Sequence, residues 1–123
     1  MAIKKILIVD DSPTERYYLT DILVRNGFSV TTADNGEEAL AKIRADRPEL
    51  ILMDVVMPGA NGFQVTRSIA RDPQLAAIPV IICSSKNQET DRIWGMRQGA
   101  VDYLVKPVSV DQLIEKAQAA LAG

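Results

Sequence analysis

Short apolar runs alternate with longer amphipathic segments along the whole chain. Five of these runs are rich in β-branched or large apolar residues and predict strands. They are Ile6–Val9, Ser29–Ala33, Leu50–Met53, Val80–Cys83 and Tyr103–Val105. The first, third and fourth are apolar nearly throughout, which is typical of parallel strands that are covered on both faces of a sheet.

The segments between and after these runs carry helix start and stop signals. Ser12 followed by proline predicts the start of a first helix, and Asn26-Gly27 predicts its end. Asn35, followed by two glutamates, predicts a second start. The remaining predicted helices cover 62–71, 90–98 and 110–121, the last of them capped by Ser109.

The alternation of these elements predicts a fold of five consecutive βα units. Because βα crossovers are right-handed, units of this size form an open, doubly wound α/β sheet. The expected order is 2-1-3-4-5, as in flavodoxin-like folds, in a single (βα)₅ domain that covers residues 1–123. In such sheets ligands bind beyond the carboxyl ends of the strands, where the strand order reverses. Functional residues are therefore expected at those ends.

Composition excludes several classes of function. The 123 residues suit one domain, and 16 acidic against 14 basic residues give no basic excess for binding nucleic acid. No apolar run approaches the roughly 20 residues of a membrane span, so no membrane insertion is expected. Cys83 is the sole cysteine, which excludes a disulfide framework and fits the reducing cytoplasm. Its thiol is either a small core group or a redox group, and the apolar run around it favours the core.

Polar side chains follow four of the predicted strands where each strand ends. Asp10 and Asp11 follow the first and Asp54 follows the third. Two like charges about 4 Å apart repel by roughly 4 kcal/mol at an effective dielectric of about 20, so such a group needs a proton or a cation. With no histidine in the chain, the ligands are hard oxygens, which favour Mg²⁺, or alternatively Mn²⁺. The alternative is that the acidic pair only caps the first helix, although Ser12 already suits that position.

Ser84 and Lys106 end the fourth and fifth strands. Lys106 could be an ordinary surface residue, but opposite a metal-bound carboxylate its ammonium suits a phosphoryl oxygen. A metal, a lysine and a hydroxyl are groups that stabilise a phosphoryl group during transfer. Asp54 is then the predicted nucleophile, and the product is an aspartyl phosphate.

With these residues in place, the chain resembles the receiver domains of two-component response regulators (CheY-like) over its whole length. The resemblance rests on Asp10-Asp11, on Asp54 in Leu-Met-Asp-Val-Val-Met-Pro-Gly, and on Ser84 and Lys106 at the family's spacing. It implies that Asp11, Asp54 and the backbone carbonyl of Val56 hold Mg²⁺, with Asp10 acting through water. It also implies phosphorylation by a sensor histidine kinase.

Three further segments resemble the stand-alone, PilH-type receivers of pilus-associated chemosensory systems. They are Val-Asp-Asp-Ser-Pro-Thr-Glu (9–15), Ile-Pro-Val-Ile-Ile (78–82) and Asp-Arg-Ile-Trp-Gly-Met-Arg-Gln-Gly-Ala (91–100). This resemblance implies control of type IV pili or twitching motility through a downstream motility protein. It implies no appended output domain, and we expect a monomer, with a dimer as the alternative.

The resemblance also implies a switch. Ser84 would move to bond a phosphoryl oxygen, and Tyr103 would then move into the space beside it, although Tyr103 could instead be a plain core aromatic. These shifts would bias a surface formed by the fourth helix, fifth strand and fifth helix. Trp94 on the fourth helix is either a partner contact or a residue packed on the sheet.

Three functions remain in competition. The chain is a phosphorylation-controlled binding module, or a phosphate sink for a shared kinase, or an enzyme such as an aspartyl phosphatase. Such phosphatases usually carry a second aspartate two residues after the nucleophile, and here that residue is Val56. The chain also lacks the P-loop and dinucleotide-binding motifs, so we expect no enzyme. The apolar Val56 cannot position an attacking water, which predicts either slow dephosphorylation or reliance on other groups.

Overall fold

A computed structural model describes residues 3–122, which form five strands and five helices in strict alternation. The strands are β1 (Lys5–Val9), β2 (Ser29–Ala33), β3 (Leu50–Met53), β4 (Val80–Ser84) and β5 (Asp102–Val105). The helices are α1 (Pro13–Arg25), α2 (Gly36–Ala45), α3 (Gly62–Arg71), α4 (Glu89–Arg97) and α5 (Val110–Ala122). Every predicted element is present, and bounds that differ from the prediction do so by single residues. Among the helices of this part of the chain, none has both the length and the apolar character that a membrane span requires.

The five strands form one parallel sheet in the order β2-β1-β3-β4-β5, which confirms the predicted flavodoxin-like topology. β1 lies between β2 and β3, and Val9 pairs with Ala33 on one side and Met53 on the other. Ser84 pairs with Val105 at the end of β4. The residues that follow β1, β3 and β5 therefore meet at one edge of the sheet, together with Ser84.

The sheet separates two hydrophobic cores, which explains the nearly unbroken apolar runs. Ile6 and Ile8 of β1 face one core, which they share with residues of α1 and α5. Leu7 and Val9 face the other, which they share with residues of α2 and α3. Cys83 lies in the first core, where burial raises the pKa of its thiol to about 12. The thiol stays protonated at neutral pH, so the structure favours the core interpretation of Cys83.

A third, smaller cluster lies under α4. Its buried members are Val55, Ile82, Ala100 and Tyr103, and Phe63 and Met96 pack against them. This switch-side cluster joins the loop after β3 to strands β4 and β5. It therefore connects the carboxyl edge of the sheet to α4.

Candidate functional site

Backbone hydrogen bonds fix the acidic residues at the carboxyl edge. The N–H of Asp54 donates to the carbonyl of Val9 at 2.8 Å, and the N–H of Asp10 donates to the carbonyl of Ala33 at 3.0 Å. Asp10 and Asp54 are buried, whereas Asp11 is exposed. One carboxylate oxygen from each of the three lies within 4.8 Å of the others. The structure therefore brings together the three acids that the sequence predicted as one site.

Lys106 lies between two of these acids. Its Nζ is 2.7 Å from Oδ2 of Asp10 and 3.4 Å from Oδ1 of Asp54. The sequence placed Lys106 opposite Asp54, but the shorter contact is to Asp10. Part of the charge that the acidic group needs is thus supplied by the protein itself, although one ammonium offsets only one of three carboxylates.

The pKa values show that this compensation is incomplete. Burial and the charge of Asp10 raise the pKa of Asp54, and the opposing charge of Lys106 does not cancel the rise. Burial lowers the pKa of Lys106, but its hydrogen bond to Asp10 and the charges of Asp54 and Asp10 leave that pKa raised. Lys106 is therefore a fixed cation at neutral pH, and Asp54 lies in a negative potential that a further cation would reduce.

The donor set fits Mg²⁺. All side-chain donors are carboxylate oxygens, and exposed Asp11 leaves the site open to the waters that Mg²⁺ retains. Asp11, Asp54 and the backbone carbonyl of Val56 would hold the ion, with Asp10 acting through water. When bound, Mg²⁺ neutralises negative charge on phosphoryl oxygens.

Asp10 also helps to cap α1, which was the alternative interpretation of the acidic pair. Its Oδ1 accepts a hydrogen bond from the N–H of Ser12 at 2.9 Å, so Asp10 does order the start of α1. Ser12 itself caps α1, because its Oγ accepts from the N–H of Glu15 at 3.3 Å. Asp10 keeps its second oxygen for Lys106. Capping and the acidic site therefore coexist in the same side chain.

A metal titration tests this assignment. We expect Mg²⁺ at ten times its dissociation constant to raise the free energy of unfolding by about 1.4 kcal/mol. Asp11→Asn should reduce this increase strongly, because it removes a ligand from the exposed side of the site. Urea unfolding with EDTA or Mg²⁺ measures the difference. Asp34→Asn is the matched control, since Asp34 is an exposed acid at the end of β2 and should leave the response intact.

Ser84 ends β4 beside Lys106, whose N–H donates to the carbonyl of Ser84 at 2.9 Å. The Ser84 side chain is fully buried, and its Oγ accepts from the N–H of Lys86 at 3.1 Å. Its hydroxyl hydrogen is not used in this contact. Ser84 is thus held at the carboxyl edge, below the surface and beside Lys106.

Tyr103 occupies an inward position. It is buried in the switch-side cluster, and its hydroxyl donates to the carbonyl of Lys86 at 2.9 Å. The sequence predicted that Tyr103 would move into space beside Ser84, and in this structure it already lies inside. Burial raises the pKa of Tyr103, so the hydroxyl remains a donor at neutral pH.

Two residues of this region were missed by the sequence analysis. The backbone of Lys86 contacts both Ser84 and Tyr103, and Arg16 Nη1 donates to the carbonyl of Asp10 at 2.7 Å. Lys86 is exposed and shows no sequence signal, because its backbone makes the contacts. For Arg16 a weak signal exists, since helical side chains point toward the helix N-terminus and Arg16 lies one turn into α1.

Trp94 is not packed on the sheet, because 48% of it is exposed. Its neighbour Gly95 makes the buried contact instead. Three other apolar side chains of α4, β5 and α5 are exposed as well: Ile93, Val105 and Val110. The structure therefore resolves the two interpretations of Trp94 in favour of an accessible residue.

Comparison with known protein sequences identifies the family. The sequence model of the response regulator receiver domain matches residues 6–118. Protein PilH of Pseudomonas aeruginosa is 54% identical over 119 residues, which cover 97% of this chain and 98% of PilH. The transcriptional regulatory protein AfsQ1 of Streptomyces coelicolor is 40% identical over 116 residues, and there the chain spans 50% of the relative's length.

Solved structures of response regulators have the same fold as this chain. The chemotaxis response regulator CheY4 of Vibrio cholerae superposes with a TM-score of 0.91 at 32% identity, covering 98% of this chain and 100% of CheY4. A CheY-like receiver domain protein of Methanospirillum hungatei superposes with a TM-score of 0.90 at 27% identity, covering 98% and 95% of the two chains. The match of the receiver domain over residues 6–118, on this fold, shows that the chain belongs to the response regulator receiver domain family.

Proposed function

We propose that Asp54 accepts a phosphoryl group from a sensor histidine kinase in a Mg²⁺-dependent reaction. The observation that carries this proposal is the position of Asp54, buried at the end of β3 with Lys106 at 3.4 Å and two further carboxylates beside it. A carboxylate oxygen of Asp54 bonds to phosphorus as the phosphorus–nitrogen bond of a phosphohistidine breaks. The electron pair of that bond returns to the imidazole. The protein is then a phosphoacceptor switch and not an enzyme.

Ser84 and Lys106 receive the new charge. The phosphoryl group adds strong acceptor oxygens at Asp54, which favour charge-assisted hydrogen bonds. Lys106 would exchange part of its contact with Asp10 for one phosphoryl oxygen, and the hydroxyl of Ser84 would donate to another. Because Ser84 contacts the N–H of Lys86, and Lys86 holds the hydroxyl of Tyr103, this change reaches the switch-side cluster.

The output that we propose is control of type IV pili or twitching motility. The identity of 54% with PilH along nearly the whole length of both chains supports this proposal, as does the resemblance of the 9–15 and 91–100 segments. The kinase would belong to a chemosensory system, and the chain would act as a single receiver domain. A downstream motility protein would bind the exposed apolar side chains of α4, β5 and α5.

A phosphotransfer assay combined with a pull-down of the partner tests this function. The wild-type chain should take label from the kinase of its own chemosensory system and then bind its partner only when labelled. Trp94→Ala should keep the label and lose the partner, because Trp94 is an exposed aromatic on that surface. Label without any phosphorylation-dependent partner would favour the phosphate sink. Absence of label would contradict the proposal as a whole.

The lifetime of the phosphoryl group tests the role of Val56. Its side chain is 58% exposed, two residues after Asp54, and it has no group to position an attacking water. We expect a wild-type lifetime much longer than seconds, and we expect Val56→Asn to shorten it several-fold. Loss of label after removal of the donor measures the rate. Val56→Leu is the control that keeps the apolar character, and an unchanged lifetime in Val56→Asn would contradict this role.

A further inference from the structure

Gly95 is the one buried residue of helix α4. Gly95 is buried, and a Cβ built on it would lie 2.9 Å from Cδ1 of Ile82 and 3.1 Å from Cδ2 of Tyr103. An alanine here would displace Cδ1 of Ile82, which is the movable end of a flexible side chain, and the ring of Tyr103 would have to give by a few tenths of an ångström. A third atom, Cε1 of Phe63, would lie at 3.3 Å. The backbone of α4 therefore rests directly on the switch-side cluster.

Glycine at this position is costly for the helix itself. Gly95 lies inside α4, and glycine is less favourable than alanine in a helix interior because its unfolded chain has more conformational freedom. Its φ is an ordinary one, so no turn requires glycine here. What requires it is the short distance between α4 and the ring of Tyr103.

The contacts form an unbroken series from the phosphoacceptor edge to α4. Oγ of Ser84 accepts from the N–H of Lys86, and the carbonyl of Lys86 accepts from the hydroxyl of Tyr103. The side of the Tyr103 ring then faces Gly95. The residue that precedes Gly95 in α4 is Trp94, which is half-exposed. The ring of Tyr103 is thus held at its hydroxyl by the loop and along its side by the helix.

We propose that Gly95 is a positioning residue that couples the inward ring of Tyr103 to the position of α4. With glycine, the inward ring and the closely packed helix are compatible. With a Cβ at this position, the inward ring and α4 would have to separate by a few tenths of an ångström, which weakens the contact between them. This inference rests on the proposed phosphoryl acceptance at Asp54, and it assigns to Gly95 the mechanical link between that event and the surface that carries Trp94.

Fluorescence of Trp94 tests the link, because Trp94 is the sole tryptophan of the chain. Acetyl phosphate with Mg²⁺ serves as donor, and label on Asp54 is measured in parallel. In the wild type, phosphorylation should change the Trp94 emission. Gly95→Ala should take the same amount of label, since it is outside the acidic site, but lose most of this emission change.

Two variants separate coupling from a general packing defect. Ile82→Val removes the Cδ1 atom nearest to the new Cβ and leaves space into which that Cβ can shift away from the ring of Tyr103. The Ile82→Val, Gly95→Ala double variant should therefore regain part of the emission change. Gly36→Ala is the matched control, because its Cβ would lie 2.6 Å from Cγ2 of Val65, which belongs to the core shared with α2 and α3 and not to the switch-side cluster. It should alter thermal stability and keep the emission change. If Gly95→Ala alone does not fold, the double variant is compared with Ile82→Val.

The outcomes are distinct. A full emission change in labelled Gly95→Ala would overturn the role of Gly95. So would an equal loss in Gly36→Ala, a folded double variant without recovery, or a labelled wild type with constant emission. A wild type that takes no label on Asp54 would contradict the proposed function instead, which the parallel label measurement reports separately.

Discussion

Asp54→Asn is expected to reduce phosphoryl acceptance to background. The amide has no anionic oxygen to attack phosphorus, and no described carboxylate has the same position. Asp10 is engaged by Lys106 at 2.7 Å and by the N–H of Ser12, and Asp11 is exposed at the rim. Label from the histidine kinase or from acetyl phosphate, followed by gel separation, measures the effect.

Asp54→Asn should also change the stability of the protein. Because we expect the variant to be more stable than the wild type, misfolding would not explain its loss of label. Burial and Asp10 raise the pKa of Asp54 above its ordinary value of 3.8, so its ionised form is disfavoured in the folded protein. The stability contribution of such a group is complete below the unfolded pKa and is lost as pH rises through the folded pKa. In EDTA at neutral pH, Asp54→Asn should therefore unfold at a higher urea concentration than the wild type. Below about pH 3.8 this advantage should disappear.

Asp34→Asn is the matched control for both effects. Asp34 follows β2 at the same edge of the sheet, but it is exposed and its Oδ1 accepts from the side chain of the neighbouring Asn35. It should keep wild-type label and wild-type stability. Substantial label on Asp54→Asn, with Asp34→Asn unchanged, would place the phosphoacceptor elsewhere and contradict the proposed function.

The location of the site could be predicted because it follows from topology. Runs such as Leu50–Met53 are buried on both faces, which identifies parallel strands, and parallel strands bring their carboxyl ends to one edge. Asp10 and Asp54 directly follow two neighbouring strands, so their proximity needs no knowledge of side-chain positions. Ser84 belongs to the same argument, although β4 extends one residue further than predicted and includes it.

Contacts that depend on tertiary distances could not be predicted. Lys106 contacts Asp10 more closely than Asp54, and its distances to the two carboxylates differ by less than 1 Å. Sequence spacing does not specify such differences. The inward position of Tyr103 depends on a backbone carbonyl, that of Lys86, which every residue type carries. The role of Gly95 depends on how closely Ile82 and Tyr103 pack against it, and sequence spacing does not specify that distance.

Lys106→Met is expected to destabilise the metal-free protein by about 2 kcal/mol at pH 7. The substitution keeps the length and apolar stem of the side chain but leaves buried Asp10 without its closest cation, and removal of one partner from a buried ion pair costs several kcal/mol. Lys106 retains some exposure, so the expected effect is smaller than the roughly 3 to 5 kcal/mol of a fully buried pair. Urea unfolding in EDTA measures it.

The control is Lys116→Met on α5. Lys116 pairs with Asp102 at 3.5 Å, and both side chains are about one-third exposed, so its loss should cost less than about 1 kcal/mol. Equal effects of the two substitutions would mean that Lys106 is an ordinary surface lysine, the alternative that the sequence left open.

The stability difference between wild type and Lys106→Met should also depend on pH and on Mg²⁺. Because its pKa is raised, the contribution of Lys106 to stability is complete below the unfolded value of 10.5 and is lost only as pH rises through the higher folded pKa. The difference between wild type and Lys106→Met should therefore stay constant from neutral pH up to that range. Added Mg²⁺ should reduce this difference in stability, because a bound cation supplies the positive charge that Asp10 and Asp54 lose with the ammonium of Lys106. A difference that Mg²⁺ leaves unchanged would show that the ammonium and the metal do not compensate the same carboxylates.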